Sequence, residues 1–354
     1  MFLFYTLVVI LHSMIFRKFD PFEVDKNEKR FGYVDVVDTI GARFEMPVGV
    51  VNGASEGPTL VVTGGLYPTE YCGVESASRL YQLVQPEGLS GRFITIPVIN
   101  MSSFRFRTPM MKLTSSSVTP LDGGRINSVF PGSPEGRPTE VLAHRVFDLI
   151  SRADYHVDFR GGDFPESHLV HTIFLRTGGE IDETAEEMAK VFGFEYVLPG
   201  TPEISHTSPG TLIYEAMSSG VASIISESGL GYREQPLEEF IDGHVQGTFN
   251  LLRHLGMLEG APVRPRRQNF LDMTWHRVSS PLSGVFQAIA DYGDLVEKDQ
   301  VLGLIKGLDG SVLASVVSPI EGVVHTMFTR RVVLPGDPLY TLLEIGQPTG
   351  WAEP

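Results

Sequence analysis

Between residues 31 and 259, short apolar runs of strand character alternate with longer runs of helical spacing. Such alternation over more than two hundred residues implies an α/β sheet, largely parallel, with helices on its faces and its site at the carboxyl ends of the strands. Thr59 to Thr63 is an apolar run ending in glycines, and Glu70 to Val84 carries Val74, Ala77, Leu80, Tyr81 and Val84 at helical spacing. Phe93 to Ile99 reads as a strand stopped by Asn100. Thr139 to Arg152 reads as a helix with Thr139 at its N-cap and Leu142, Val146 and Ile150 on one face. His156 to Phe159 and Val221 to Ser226 read as strands, with helices at Thr184 to Phe192 and Leu237 to Leu255. Residues that carry chemistry follow these strands: Tyr67 and Glu70, Asn100, Arg160, and Glu227.

Composition narrows the partners. A net charge of −15 argues against nucleic acid, since phosphate binding needs clustered Lys and Arg. The single cysteine, Cys72, forms no internal disulfide and suits a reducing compartment, so the expected location is cytoplasmic. Residues 1–16 are almost wholly apolar and precede Arg17 and Lys18. The stretch is short for a membrane span, which needs ~20 residues, and lacks a cationic segment ahead of it. It reads as a marginal membrane anchor, as a non-native extension from an upstream start, or as an arm packed on a partner.

Residues 1–30 are thus expected to be an extension and linker, and 31–259 an α/β domain. Residues 260–270, with Pro262, Pro265 and three arginines, read as a linker. Residues 271–348 differ in texture. Ser280-Pro281-Leu282-Ser283-Gly284-Val285 is echoed by Ser318-Pro319-Ile320-Glu321-Gly322-Val323, and Tyr292-Gly293-Asp294 by Leu334-Pro335-Gly336-Asp337, a repeat of about forty residues. Short strands between Gly-Asp turns imply a small all-β, barrel-sandwich-like domain of two interleaved halves. No Met-Lys or Asp-Lys stands at a hairpin tip between the halves, so the expected role is a packed appendage beside the main cleft.

From about Gly32 to Glu344 the chain resembles the succinylglutamate desuccinylase and aspartoacylase family, in its N-acetyl-diaminobutyrate deacetylase-like branch. Gly65-Leu66-Tyr67-Pro68-Thr69-Glu70 is similar to that family's Gly-x-His-Gly-x-Glu stretch. Asp122 to Gly132, through Arg125-Ile126-Asn127-Ser128, is similar to Asp-x-x-x-Leu-Asn-Arg-x-Phe-Pro-Gly. Ala153 to Gly162 is similar to Ala-Asp-x-x-x-Asp-x-His-x-Gly, and Ser226-Glu227-Ser228-Gly229 to the strand end that holds the general base. The resemblance implies a zinc carboxypeptidase-like α/β domain that hydrolyses the amide of an N-acylated amino acid. It also implies zinc held by His, Glu and His, and a Glu that takes a proton from the metal-bound water.

Carried over by position, Glu70 is the middle zinc ligand, Glu227 the base and Asn127 a substrate-binding residue. Arg107 and Arg125 are further candidates for substrate contact. The outer ligand positions are Tyr67 and Arg160, and the Arg of the Asn-Arg pair is Ser128. Tyr67 ligates only as a phenolate, and a guanidinium, always cationic, is no ligand at all. Arg160 is expected to pair with Glu70, Glu227 or both, in place of the missing metal charge. His156, His168, His171 and His206 lie nearby in sequence and are read mainly as surface or core histidines.

The expectation is therefore a homologue with no resident cofactor. It binds a small acidic or N-acylated molecule through Tyr67, Asn127, Arg125, Arg107 and Arg160, as a homo-oligomer or with an active paralogue. The competing expectation is a working amide or ester hydrolase with Glu227 as base.

Overall fold

A computed structural model describes residues 20–39, 42–106, 118–231, 235–265 and 267–345 of the 354-residue chain. Arg107 and the apolar stretch 1–16 lie outside the described residues. The strands of the first part are β1 (Glu28–Thr39), β2 (Ala42–Asn52), β3 (Ser55–Thr63), β4 (Ser90–Ile96), β5 (Tyr155–Arg160), β6 (Glu166–His168), β7 (His171–Leu175), β8 (Tyr196–Gly200), β9 (Ala222–Glu227) and β10 (Asn269–Phe270). Between them run α1 (Tyr71–Leu83), α2 (Met101–Phe106), α3 (Pro138–Ile150), α4 (Ile181–Phe192), α5 (Leu212–Ser218) and α6 (Glu238–His254).

All of these strands except β6 form one mixed, mostly parallel sheet in the order β1-β2-β4-β3-β5-β9-β7-β8-β10. Its central strands are buried on both sides because helices and loops cover both faces, as parallel sheets require, although β5 and β9 carry polar side chains as well as apolar ones. The pleat sorts their side chains into two cores. Leu60, Val62, Val157 and Phe159 join α1, α4 and α6 in one, while Val61, Ile94 and Ile96 join α3 and α5 in the other.

Helix α3 starts at Pro138, one residue before its expected N-cap. Pro occupies the first turn, where a missing N–H costs nothing, and Glu140 Oε2 accepts the backbone N–H of Arg137 at 2.8 Å. Thr139 instead gives its hydroxyl to Asp122 within a short Thr119–Asp122–Thr139 cluster. Gly193 (φ 102°) and Gly256 (φ 69°) follow α4 and α6, where a left-handed residue releases the chain from a helix.

The remaining strands are β11 (His276–Ser279), β12 (Gly284–Ala288), β13 (Leu295–Val296), β14 (Val301–Lys306), β15 (Val312–Val317), β16 (Gly322–Phe328), β17 (Val332–Val333) and β18 (Pro338–Leu343). They make two small antiparallel sheets around Phe286, Leu302, Ile305 and Tyr340. The repeat seen in the sequence recurs as bonds. Ser280 and Ser318 each donate a hydroxyl to the carbonyl two residues on, both at 2.7 Å. Asp294 and Asp337 each accept the N–H three residues back, both at 2.8 Å.

These sheets are not detached from the first. Strand β6 pairs with β16, aligning His168 with Thr326 and Glu166 with Phe328. Val323 and Leu343 lie in the same core as α1 and α4. Asn269 and Phe270, within the segment expected to link the two parts, form β10 at the edge of the large sheet.

Candidate functional site

The pleat and the strand register assemble the site. On β5, His156, Asp158 and Arg160 share the face opposite Val157 and Phe159. Across the sheet, Val61 and Thr63 align with His156 and Asp158, and Arg160 aligns with Glu227, itself aligned with His171 on β7. Three neighbouring strands thus deliver Arg160, Glu227 and His171 in one row. His244 of α6 steadies this edge. Its Nε2–H donates to the carbonyls of Arg160 (3.0 Å) and Ser228 (3.2 Å), while Nδ1 accepts from Ser226.

Arg160 pairs with a carboxylate of its own strand. Its Nε donates to Asp158 Oδ2 at 2.7 Å and its Nη2 lies 2.6 Å from the same oxygen, both residues being buried. The expected ion pair with Glu70 or Glu227 is corrected accordingly: among the described contacts Arg160 closes on Asp158, two residues back on the same face. Thr63 donates to Asp158 Oδ1 at 2.9 Å, so its oxygen accepts from His156 Nε2 (3.0 Å) and Ser223 donates to Nδ1 (2.8 Å). That arrangement needs a neutral imidazole. Burial, helped by Arg160, accordingly lowers the His156 pKa to about 3.

Tyr67 lies beside this pair, its ring centroid 5.1 Å from the Arg160 guanidinium carbon. Its hydroxyl oxygen accepts from Asn127 Nδ2 at 3.2 Å, and Asn127 Oδ1 accepts the N–H of Leu212 at 3.1 Å, at the start of α5. Burial raises the Tyr67 pKa against the opposing pull of Arg160, so the phenol keeps its proton. Glu70 precedes α1 and is buried with Oε2 unpartnered. Burial, then Glu227, hold its pKa well above the usual carboxylate range. Thr69 donates to Asp163 at 2.5 Å.

Glu227 is the last residue of β9. Its Oε2 lies 3.8 Å from His168 Nδ1, and His168 Nε2 bonds Glu166 at 2.9 Å. Set between two carboxylates, His168 has its pKa raised to about 10 although burial opposes it. Glu227 is depressed to about 2 even though burial acts the other way, with His168 the main cause of the lowering and His171 and Arg160 helping.

The structure thus gathers Tyr67, Glu70, Asn127, Arg160 and Glu227, and does not gather Arg125, which is exposed and pairs through its backbone with Val118. Sequence reasoning passed over Asp158, Glu166 and His325. Asp158 and Glu166 carried a signal in their spacing, since each stands two residues from a site residue on its own strand. His325 carried none, being about 150 residues away.

Zinc does not fit the positions that the resemblance assigns to it. Tyr67 holds its proton and spends its oxygen on Asn127, Arg160 is a cation fixed to Asp158, and Glu70 alone remains. Among the described residues, no three His, Cys, Asp or Glu side chains stand close enough together to enclose an ion.

This large mixed sheet with helices on both faces and a β-rich C-terminal part is the architecture of the zinc carboxypeptidase-like deacylases. Among solved structures, succinylglutamate desuccinylase/aspartoacylase from Rhodobacter sphaeroides superposes with TM-score 0.77 at 24% identity, covering 92% of this chain and 98% of that one. The product-bound ectoine utilization protein EutE (DoeB) from Ruegeria pomeroyi superposes with TM-score 0.76 at 22% identity, over 91% and 98%. The profile of the succinylglutamate desuccinylase/aspartoacylase catalytic domain matches residues 56–255, and the chain belongs to that family. It is 28% identical over 320 residues to N-alpha-acetyl-L-2,4-diaminobutyric acid deacetylase from Halomonas elongata, covering 86% of this chain and 87% of the relative.

Proposed function

We propose that this member of the family binds a small N-acylated amino acid or a similar acidic molecule without hydrolysing it through a metal at the family's zinc positions. One observation carries the reading: the guanidinium at the third ligand position is buried and closed on Asp158 by its Nε and Nη2. A hydrolase of this family needs a polarised water there and a carboxylate that takes its proton. Glu227 is held near pKa 2 by His168, which makes it a feeble base. What the site keeps is recognition chemistry. The Tyr67 phenol and the Asn127 amide provide hydrogen bonding for an acyl oxygen, and Arg160 and His168 are fixed charges beside them. The diaminobutyric acid deacetylase and the succinylglutamate desuccinylases among its relatives motivate the ligand class.

Thermal-shift and calorimetric titration with N-acetyl and N-succinyl amino acids, without added metal, tests this. The expected result is saturable binding to the wild type, weakened by Tyr67→Phe, with no release of free amine. Amine release by the wild type that disappears in Glu227→Gln overturns it and restores the hydrolase reading. The proposal extends to a cytoplasmic location, with membrane attachment through residues 1–16 as the alternative. It extends also to assembly with itself or an active paralogue, and to a division into a ligand-binding part (31–259), a linker (260–270) and an appended β part (271–348).

A further inference from the structure

The row that begins with Arg160 and Glu227 continues into a corner that the reading above does not use. His171 follows Glu227 across the β9–β7 pair. His325, on β16, comes from the C-terminal sheets, and its ring lies 4.8 Å from that of His171 and 4.6 Å from that of Trp275. Trp275 is half-buried, and the exposed ring of His206 lies 5.6 Å from it, which brings this corner to the surface.

Four buried atoms here have no hydrogen-bond partner: His171 Nε2, His325 Nε2, Glu227 Oε2 and Trp275 Nε1. His171, His325 and Glu227 are only 1%, 4% and 6% exposed. Such atoms are rare in a native fold, and four in one corner need a common cause. Among the described residues no group of His, Cys, Asp and Glu encloses an ion, and Glu227 is already paired with the charged His168, so the missing partner is a molecule with several polar atoms.

The polarity of that partner follows from the four atoms. His171 Nδ1 lies 2.7 Å from the Leu169 carbonyl, so Nδ1 carries the proton and Nε2 is an acceptor. Glu227 Oε2, a carboxylate oxygen, is a second acceptor, whereas the indole N–H of Trp275 only donates. His325 Nδ1 lies 2.7 Å from the Thr326 hydroxyl, and accepting from it leaves Nε2–H as a second donor. Burial lowers the pKa of His171 to about 4 and that of His325 well below its usual value, so each imidazole carries one ring proton. Two donors and two acceptors complement a primary carboxamide, whose oxygen has two lone pairs and whose nitrogen has two hydrogens. A carboxylate has no hydrogen for His171 and meets the charge of Glu227. An ammonium leaves the N–H groups of Trp275 and His325 unpaired, and a secondary amide has one hydrogen too few.

We propose that Trp275, His325, His171 and Glu227 form a subsite for a primary carboxamide, so that the bound molecule is an N-acylated amino acid whose side chain ends in one, as glutamine does. The carboxamide oxygen lies against Trp275 Nε1 and His325 Nε2, and its nitrogen against His171 Nε2 and Glu227 Oε2. Glu227 keeps its charge and its pairing with His168. Arg160 and His171 stand two strand spacings apart, about 10 Å. The acyl group therefore stays at Tyr67 and Asn127 while the side chain reaches past Glu227 to this corner. The rings of Trp275 and His206 part to admit it. This subsite deepens the proposed ligand binding and rests on it.

The test is calorimetric titration of the full chain with the Nα-acetyl derivatives of glutamine, glutamate and lysine, which differ only in the side chain. The glutamine derivative is expected to bind about 10–100-fold more tightly than either of the others, the range that an unpaired buried group costs. It should also change tryptophan fluorescence, a change that Trp275→Phe removes. Trp275→Phe, which keeps a ring and loses the N–H, and His171→Phe should each cut the preference for glutamine over glutamate by about tenfold. The wild-type series decides alone where a variant fails to fold. Equal affinity for the glutamine and glutamate derivatives, tighter binding of the lysine derivative, or a preference for glutamine that survives both substitutions overturns the subsite and leaves the ligand-binding reading standing. No binding of any of the three overturns both.

Discussion

Asp158 and Arg160 occupy alternate positions of one strand, and their pairing sets the charge balance of the site. Removing one partner leaves the other charged, buried and uncompensated, so Arg160→Met is expected to lower stability by about 3–5 kcal/mol in urea unfolding. Removing both charges in Asp158→Asn, Arg160→Met is expected to restore most of that loss. A double variant as unstable as the single one would show that the pair is not the source. The His168–Glu227 pair makes a prediction with a definite sign. His168 is raised from 6.5 to about 10, so its contribution is fully present below pH 6.5 and is lost as pH rises towards 10. Glu227 is depressed from 4.5 to about 2, so its contribution is present above pH 4.5 and is lost as pH falls towards 2. The stability gap between wild type and His168→Gln should therefore be widest near pH 5–6 and close towards pH 10, measured by urea unfolding at several pH values. A gap that is flat across that range would refute the charged-histidine assignment. At this scale the sequence was half legible. The positions of Tyr67, Glu70 and Glu227 follow from strand ends and that of Asn127 from the family resemblance, but the expected partners of Arg160 lie across the cleft, whereas the period-2 rule puts Asp158 on its own face.

Elements were more legible than partners, because periodicity and glycine terminators are local signals. The helix anticipated over Glu70 to Val84 is α1, Tyr71–Leu83, and the strand anticipated at Val221 to Ser226 is β9, Ala222–Glu227. The Thr139 cap failed for a local reason too: Pro138 and Glu140 supply a better start, and Asp122 claims the threonine. What the local pattern hides is how closely elements approach. Helix α1 sits on β5 at Gly73, where an added Cβ would stand 2.9 Å from the Phe159 carbonyl oxygen and 3.1 Å from its Cβ. Both obstacles belong to the strand that carries Arg160, so neither yields without moving the site. Gly73→Ala is expected to cost about 1–3 kcal/mol, the range for overpacking, and to weaken any ligand that Arg160 and Glu70 contact. Gly88→Ala, with open space around its Cβ, is the matched control and should change stability little. Equal effects at the two positions, read from denaturant midpoints, would sink the steric argument.

Across the whole molecule, the two β-rich regions behave as one body if the seam between them is as continuous as its bonds. Strand β6 carries Glu166 and His168 and completes a sheet whose other members all come from residues 276–343. Thr329 donates its N–H and its hydroxyl to the Pro165 carbonyl on the far side of the same seam. Val323 and Leu343 are fully buried in the core that α1, α4 and α6 cover, with Trp275 packed against it. The site therefore depends on the C-terminal sheets for the position of His168, and this part of the chain acts as a wall of the cleft. The repeat reads in the sequence as an appendage packed beside the main cleft, but the β6–β16 pairing that joins it to the site is not legible there, because it links residues about 160 apart. Such a seam couples the unfolding of both parts. Far-UV circular dichroism, which reports every strand and helix, and fluorescence of Trp275, which reports the seam, should give coincident denaturation curves. Leu343→Ala should shift both curves together by the ~2–5 kcal/mol that a buried leucine loses to alanine. A fluorescence transition that precedes the dichroism change, or a Leu343→Ala effect confined to one probe, would mean that the C-terminal sheets open independently and that His168 is positioned by the large sheet alone.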